Sequence, residues 1–241
     1  ALIGRGMIDD LDYFFSGHVG LALREVGQIA FNVHSFMALS RFEVTFTGRA
    51  SHAAFRPEEG QNALLGACAA ITNLYAIPRH SAGASRINVG YHQAGATWNA
   101  IPDRAYFQME TRGVTNEINE YMAAKAHEVI HGAARMYGLA VDVRPAAVAV
   151  VAENSPGLVD LAARVAAGLP SVREIVPSVP FNASEDVTLL MEHVQRRGGQ
   201  ALVSIFGTPV GGGHHNGSFD LDETVIRNAA EFFAAMHAAV V

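Results

Sequence analysis

Residues 41–47 alternate polar with apolar side chains (Arg41-Phe42-Glu43-Val44-Thr45-Phe46-Thr47) and stop at Gly48, the pattern of a strand with one buried face. Between Gly60 and Tyr75 the larger apolar residues fall at Leu64, Leu65, Cys68, Ile71, Leu74 and Tyr75, with Pro78 just beyond. That spacing predicts a helix resting on this stripe. Alternation returns at 87–91 and at 105–110 around the turn-rich stretch 94–103, which predicts a hairpin with a long loop. Residues 116–137 put Ile118, Tyr121, Met122, Val129, Ile130, Ala133 and Tyr137 on one helical face, Gly138 suits a C-cap, and 139–143 alternates again.

The order over 39–150 is therefore strand, helix, strand, strand, helix, strand, a ferredoxin-like α+β unit with an antiparallel sheet. After the turn Glu153-Asn154-Ser155-Pro156, the pattern predicts helices near 157–168 and 184–196, a buried strand at 201–206 and a C-terminal helix near 222–239. These read as the end of an α/β layer. Residues 1–38 are strand and loop pieces too short to form a domain. The simplest topology joins 1–38 to 151–241 in one partial α/β domain and inserts 39–150 into it.

Of the 241 residues 50% are hydrophobic and 17% charged, which suits a chain with a sizeable core and excludes a disordered tail. The net charge of −6 leaves no basic field for a polyphosphate backbone, so nucleic acid is not an expected partner. No apolar run reaches the roughly 18 residues of a membrane span, and the opening residues lack the charged-then-apolar order of a signal peptide. The single cysteine, Cys68, reads as a small buried hydrophobe in an alanine-rich run and permits no disulfide framework. A cytoplasmic location is expected. The chain opens at Ala1 on a loop-like stretch, as a piece of a longer protein would.

Most of the eleven histidines have plain roles. His127, His131, His193 and His237 sit among polar helix neighbours, and these are set aside with His34 and His80. His18 ends an aromatic run beside Gly17, where active-site side chains project from strand ends. His214 and His215 close the run Gly211-Gly212-Gly213, and their role stays open between ligand and mere solvation. His52 follows a strand in Ser51-His52-Ala53, where an imidazole polarises a carbonyl or merely caps. Asn99 and Arg112 flank the strand at 105–110, either as a clamp on a carboxylate or as turn and rim residues. Glu185-Asp186 reads as a helix start, with carboxylates at the positive end of the dipole. A phosphate loop and a Gly-x-Ser-x-Gly elbow are both missing from the sequence.

The turn Gly48-Arg49-Ala50-Ser51-His52-Ala53-Ala54 with Pro57 and Gln61-Asn62-Ala63, the loop Asn99-Ala100-Ile101-Pro102, Ser184-Glu185-Asp186, and the run from His215-Asn216-Gly217-Ser218-Phe219 to Glu223 together resemble the M20 family of metallopeptidases and amidohydrolases. Within it, 51–64 and 81–90 look most like the p-aminobenzoyl-glutamate hydrolase A subunit group. The resemblance implies an α/β catalytic domain holding two divalent metals, Zn or Mn, interrupted by a ferredoxin-like lid that mediates a homodimer, alone or with a second type of chain. It implies that His18 and His215 are metal ligands that converge in space, and that His52 approaches the scissile carbonyl. It further implies that Asn99 and Arg112 grip the substrate carboxylate. The activity it implies is cleavage of the amide bond of p-aminobenzoyl-glutamate to release glutamate, with other N-acyl amino acids as the alternative substrates. The remaining ligands and the general-base glutamate of that family belong to a segment ahead of Ala1. The chain is then a portion of a longer enzyme, or a non-catalytic module that dimerises and binds carboxylates.

Overall fold

The computed structural model describes residues 2–212 and 216–241. The chain divides into two compact units, one made of Ala1–Phe36 with Ala152–Val241 and the other of Met37–Val151. In chain order the first segment carries β1 (Tyr13–Val19), β2 (Gln28–Ala30) and β3 (Val33–His34). The central unit carries β4 (Ala38–Thr47), α1 (Ala63–Tyr75), β5 (Ser85–Ala94), β6 (Arg104–Gly113), α2 (Asn116–Met136) and β7 (Ala140–Ala149). The last segment carries α3 (Pro156–Ala167), β8 (Glu174–Ile175), β9 (Val179–Pro180), α4 (Val187–Arg196), β10 (Gln200–Phe206), β11 (Val210–Gly211), β12 (Asp220–Leu221) and α5 (Thr224–Val240). Among the described residues no helix is long and apolar enough to cross a membrane.

In the central unit the sheet order is β5-β6-β4-β7 with every neighbour antiparallel, the ferredoxin-like arrangement expected from the element order. Alternate residues of its inner strands, Val44 and Phe46 on β4 and Ala105, Phe107 and Met109 on β6, are buried against α1 and α2. Asn119 of α2 ties helix to sheet, donating to Ser40 Oγ at 2.9 Å and accepting from Thr111 Oγ1 at 2.9 Å. Gly138, at φ +63°, closes α2 as the sequence suggests, with the Leu139 amide reaching back to the Ala134 carbonyl.

Helix α1 departs from its sequence pattern. Its buried face is Ala63, Gly66, Ala67, Ala70 and Leu74, while Leu65 and Tyr75 are each 48% exposed and Cys68 is exposed. Small residues let this helix lie close to the sheet: a Cβ on Gly66 would run into Leu139 and press on Phe46. Residue size, not apolarity alone, selects the face. The helix also starts at Ala63 instead of Gly60, because Asn62 caps it by accepting from the Leu65 amide at 3.2 Å.

In the other unit β10 is the central strand, parallel to β1 and antiparallel to β2, with β8 parallel to β2 beyond. Its residues from Ala201 to Phe206 are all buried. Ala201, Val203 and Ile205 pack in one core with Met191 of α4, whereas Leu202 and Phe206 pack in another with Leu158 of α3 and Phe232 of α5. The strand is thus covered on both faces, which is why its sequence from Ala201 to Phe206 is apolar at every position but Ser204. Asn154 pins the layer by donating to the Phe31 and Val203 carbonyls and accepting from the Val203 amide.

The turn after β4 leaves no room for a side chain at Gly48, whose amide bonds to the Asp103 carbonyl at 2.7 Å. A Cβ there would strike the Gln61 carbonyl, the backbone group that receives the Arg49 amide. Gly48→Ala is therefore expected to destabilise the unit by about 1–3 kcal/mol, in the range of other overpacking changes. Urea unfolding of the variant against the parent measures this.

Candidate functional site

His18 stands near the carboxyl end of β1, opposite Ile205 near the carboxyl end of β10, the edge at which α/β sheets place their ligands. Its Nδ1 lies 3.2 Å from the Val19 carbonyl oxygen. A carbonyl only accepts, so in the neutral ring Nδ1 carries the proton and Nε2 the lone pair. Nε2 faces Glu185 Oε2 at 3.9 Å, and the ring meets Phe181 edge-on with centroids 5.6 Å apart. His18 and Glu185 border a cavity of about 790 Å³ whose other walls include Phe14, Phe181, Leu190 and Val203.

Glu185 is the residue that its sequence context underrates. It does precede α4, but neither it nor Asp186 caps the helix with a side chain. Instead Glu185 Oε1 accepts the Asp186 amide at 3.1 Å and Oε2 turns to His18. Burial, with the Asp186 carboxylate beside it, raises the Glu185 carboxyl above its ordinary range. The signal is present in the Ser184-Glu185-Asp186 element, but helix-start chemistry explains that element too easily.

His215 lies outside the described residues, so its approach to His18 does too. Among the described residues no group of three or more His, Cys, Asp or Glu is placed to hold a metal ion. His18 and Glu185 nevertheless form a donor set of imidazole nitrogen and carboxylate oxygen, which suits zinc or manganese.

In the central unit His52 sits where two loops cross. His52 bridges to Ala100, the Ala53 amide donates to the Asn99 carbonyl at 2.9 Å, and the Ile101 amide donates to the Ser51 carbonyl at 2.8 Å. The Ala54 amide donates to His52 Nδ1 at 3.1 Å. This shorter contact places the proton of the neutral ring on Nε2; the Asn99 Nδ2 group, 3.5 Å from Nε2, is itself only a donor and does not pair with that N–H. Phe55 stacks on the imidazole with centroids 4.2 Å apart. The result is a backbone-anchored histidine that presents an N–H donor.

Arg112 lies elsewhere in the same unit. The Asn99 loop adjoins the Thr47/Arg104 end of the sheet, whereas Arg112 pairs with Leu39 at the other end. The eight steps along β6 from Arg104 to Arg112 span roughly 27 Å at about 3.4 Å per residue. One copy of this unit does not bring Asn99 and Arg112 onto a common carboxylate. Arg112 Nε donates to Glu110 Oε1 at 2.8 Å, and Arg41 Nε donates to Oε2 at 3.1 Å. Burial alone would raise the Glu110 carboxyl, but these two guanidiniums outweigh it and hold the group below the usual carboxylate range. Of the histidines set aside, His193 is paired with Asp9 at 2.7 Å, a structural contact on α4.

Against known proteins, residues 37–136 match the M20 peptidase dimerisation domain. Over 235 residues, 97% of the chain, it is 44% identical to the indole-3-acetyl-aspartic acid hydrolase of Enterobacter agglomerans. It is 42% identical over the same share to a chain of the p-aminobenzoyl-glutamate hydrolase of Escherichia coli K12. A solved aminobenzoyl-glutamate utilization protein from Klebsiella pneumoniae superposes on 98% of the chain with a TM-score of 0.88 at 40% identity. The chain spans about half the length of these relatives: 54% of each hydrolase and 56% of the solved structure.

Because the Glu110 carboxyl titrates lower in the folded unit than in the unfolded chain, it stabilises the fold above the ordinary carboxylate pKa near 4.3 and ceases to do so as pH falls through its folded value. Glu110→Gln removes this contribution. The variant should lose less stability than the parent between about pH 5 and pH 3. Parallel curves in urea unfolding across that interval would show that the two arginines do not perturb Glu110.

Proposed function

From the premise that this chain belongs to the M20 peptidase family, we propose that the whole protein is a metal-dependent amidohydrolase of N-acyl amino acids, acting on an aromatic acyl group joined to an acidic amino acid. The two similar hydrolases are named for indole-3-acetyl-aspartate and p-aminobenzoyl-glutamate, which share both features. The finer reading is p-aminobenzoyl-glutamate, releasing glutamate. The observation that carries the proposal is His18, whose Nδ1 is engaged by the Val19 carbonyl so that Nε2 faces a carboxylate at the wall of a substrate-sized cavity.

His18 and His215 would hold the divalent metals, Zn or Mn, on the side of the α/β unit, together with ligands from the part of the relatives that this chain does not span. Bound there, such ions acidify a water and polarise the amide carbonyl. The part of His52 is to donate its Nε2 hydrogen to the carbonyl oxygen as negative charge gathers on it, and the Ala54 amide keeps the ring in the tautomer this requires. Arg112 and Asn99 would bind the carboxylate of the amino acid. Because they stand at opposite ends of β6, they serve one substrate only when they come from two copies of the central unit, which favours a homodimer. The outward face of α1, with Leu65, Cys68 and Tyr75, and the edge strand β5 with Tyr91, provide apolar surface for such a contact.

The full-length protein loaded with manganese or zinc should release glutamate from p-aminobenzoyl-glutamate, and chelation should abolish this. Failure to hydrolyse any aromatic N-acyl glutamate or aspartate would overturn the proposal. Arg112→Lys keeps a charge beside Glu110 but loses the forked donor pair. It should lower kcat/KM on the carboxylate substrate by on the order of 2 kcal/mol in transition-state binding and leave metal content unchanged. An equal loss on an analogue whose α-carboxylate is an amide would make Arg112 a purely structural residue.

A further inference from the structure

We propose that Glu185 is a cation-binding residue of the His18 site, its carboxylate joining His18 Nε2 in holding a divalent cation at the wall of the cavity. The inference rests on the reading of His18 given under the proposed function. Its first ground is distance. At 3.9 Å the His18 and Glu185 atoms are too far apart for a hydrogen bond to each other. Two donors that each lie about 2.1 Å from one ion are about 3.4 Å apart at a tetrahedral angle and at most about 4.2 Å apart, so the pair stands within reach of one cation and would close by about half an ångström to hold it.

The second ground is how the carboxylate is held. Its two oxygens are divided in use: Oε1 is fastened by the Asp186 amide and Oε2 is thereby presented to His18. A carboxylate that only filled space at the start of α4 would be expected to cap that helix, and it does not. The third ground is charge. Glu185 is partly buried beside a second carboxylate, Asp186, with Phe14, Phe181 and Leu190 on the cavity walls. Its ion-pair partner among the described residues is His18, with no Lys or Arg in reach. Partly desolvated negative charge of this kind is stabilised by a cation placed against it.

The fold brings the pair together from distant parts of the sequence. His18 rides on β1 and Glu185 on the segment entering α4, which packs on β1 and β10. Glu185 is fastened at the entry to α4, its Oε1 by the Asp186 amide and its carbonyl by the Thr188 hydroxyl at 2.7 Å.

The test uses the full-length protein, stripped of metal and titrated with zinc or cobalt(II) against a chromophoric competing chelator. Glu185→Gln should weaken metal affinity by at least about 10–100-fold, the loss that removal of even an outer supporting carboxylate produces. Glu185→Asp should recover part of that loss, the cobalt(II) visible spectrum should change in both, and the apo-protein's unfolding midpoint should not move. Unchanged affinity and spectrum in Glu185→Gln, with affinity lost in His18→Ala, would overturn the role of Glu185 alone. Unchanged affinity in His18→Ala would overturn the reading of His18 itself. Should Glu185→Gln fold poorly, Glu185→Asp decides, because a purely packing role predicts parental affinity for every variant that remains folded.

Discussion

The α/β unit depends on one constraint, the complete burial of β10. A strand covered on both faces must satisfy every backbone group within the sheet and find apolar partners above and below. Ala201, Val203 and Ile205 commit one face to α4, and Leu202 and Phe206 commit the other to α3 and α5. With β10 so fixed, its parallel neighbour β1 has one register, and that register puts His18 at the carboxyl end of the sheet beside the segment entering α4. The cavity with its imidazole and carboxylate is thus a product of core packing.

The central unit solves a different problem with the same means. Its sheet needs cover on only one face, and α1 and α2 supply it, α1 by approaching closely through Gly66, Ala67 and Ala70. The larger apolar residues of that helix are left outward, an uncommon use of Leu65 and Tyr75 that an interface between copies would explain. The separation of Asn99 from Arg112 along β6 leads to the same interface by a separate route, since in the proposed reading one carboxylate needs both.

Much of this is legible in the sequence, and the failures have physical causes. Alternation locates β4, β5, β6 and β7 because a one-sided sheet imposes a period of two, and the run 201–206 reads as buried because it is. The buried face of α1 is misassigned from sequence because hydrophobicity scales reward large residues, whereas close helix-to-sheet packing selects small ones. Cys68 is expected inside on that account and lies outside. Asn99 and Arg112 read from sequence as the two ends of one strand, and the structure adds that this strand holds them far apart within one copy. Glu185 escapes because its partner lies on another strand, and no local pattern reports a contact between segments that distant.

His18 and His52 show how the backbone sets chemistry that residue identity alone leaves open. Both rings engage the main chain through Nδ1, but in opposite senses: His18 donates to a carbonyl, and His52 accepts from an amide. The neutral rings are therefore opposite tautomers. Nε2 of His18 carries the lone pair a metal ligand needs, and Nε2 of His52 carries the hydrogen an oxyanion donor needs. Exchanging the two backbone contacts would exchange the two capabilities without altering the sequence at either histidine. In the proposed hydrolysis one ring must accept and the other must donate, and the structural basis for that difference is a single carbonyl at Val19 and a single amide at Ala54.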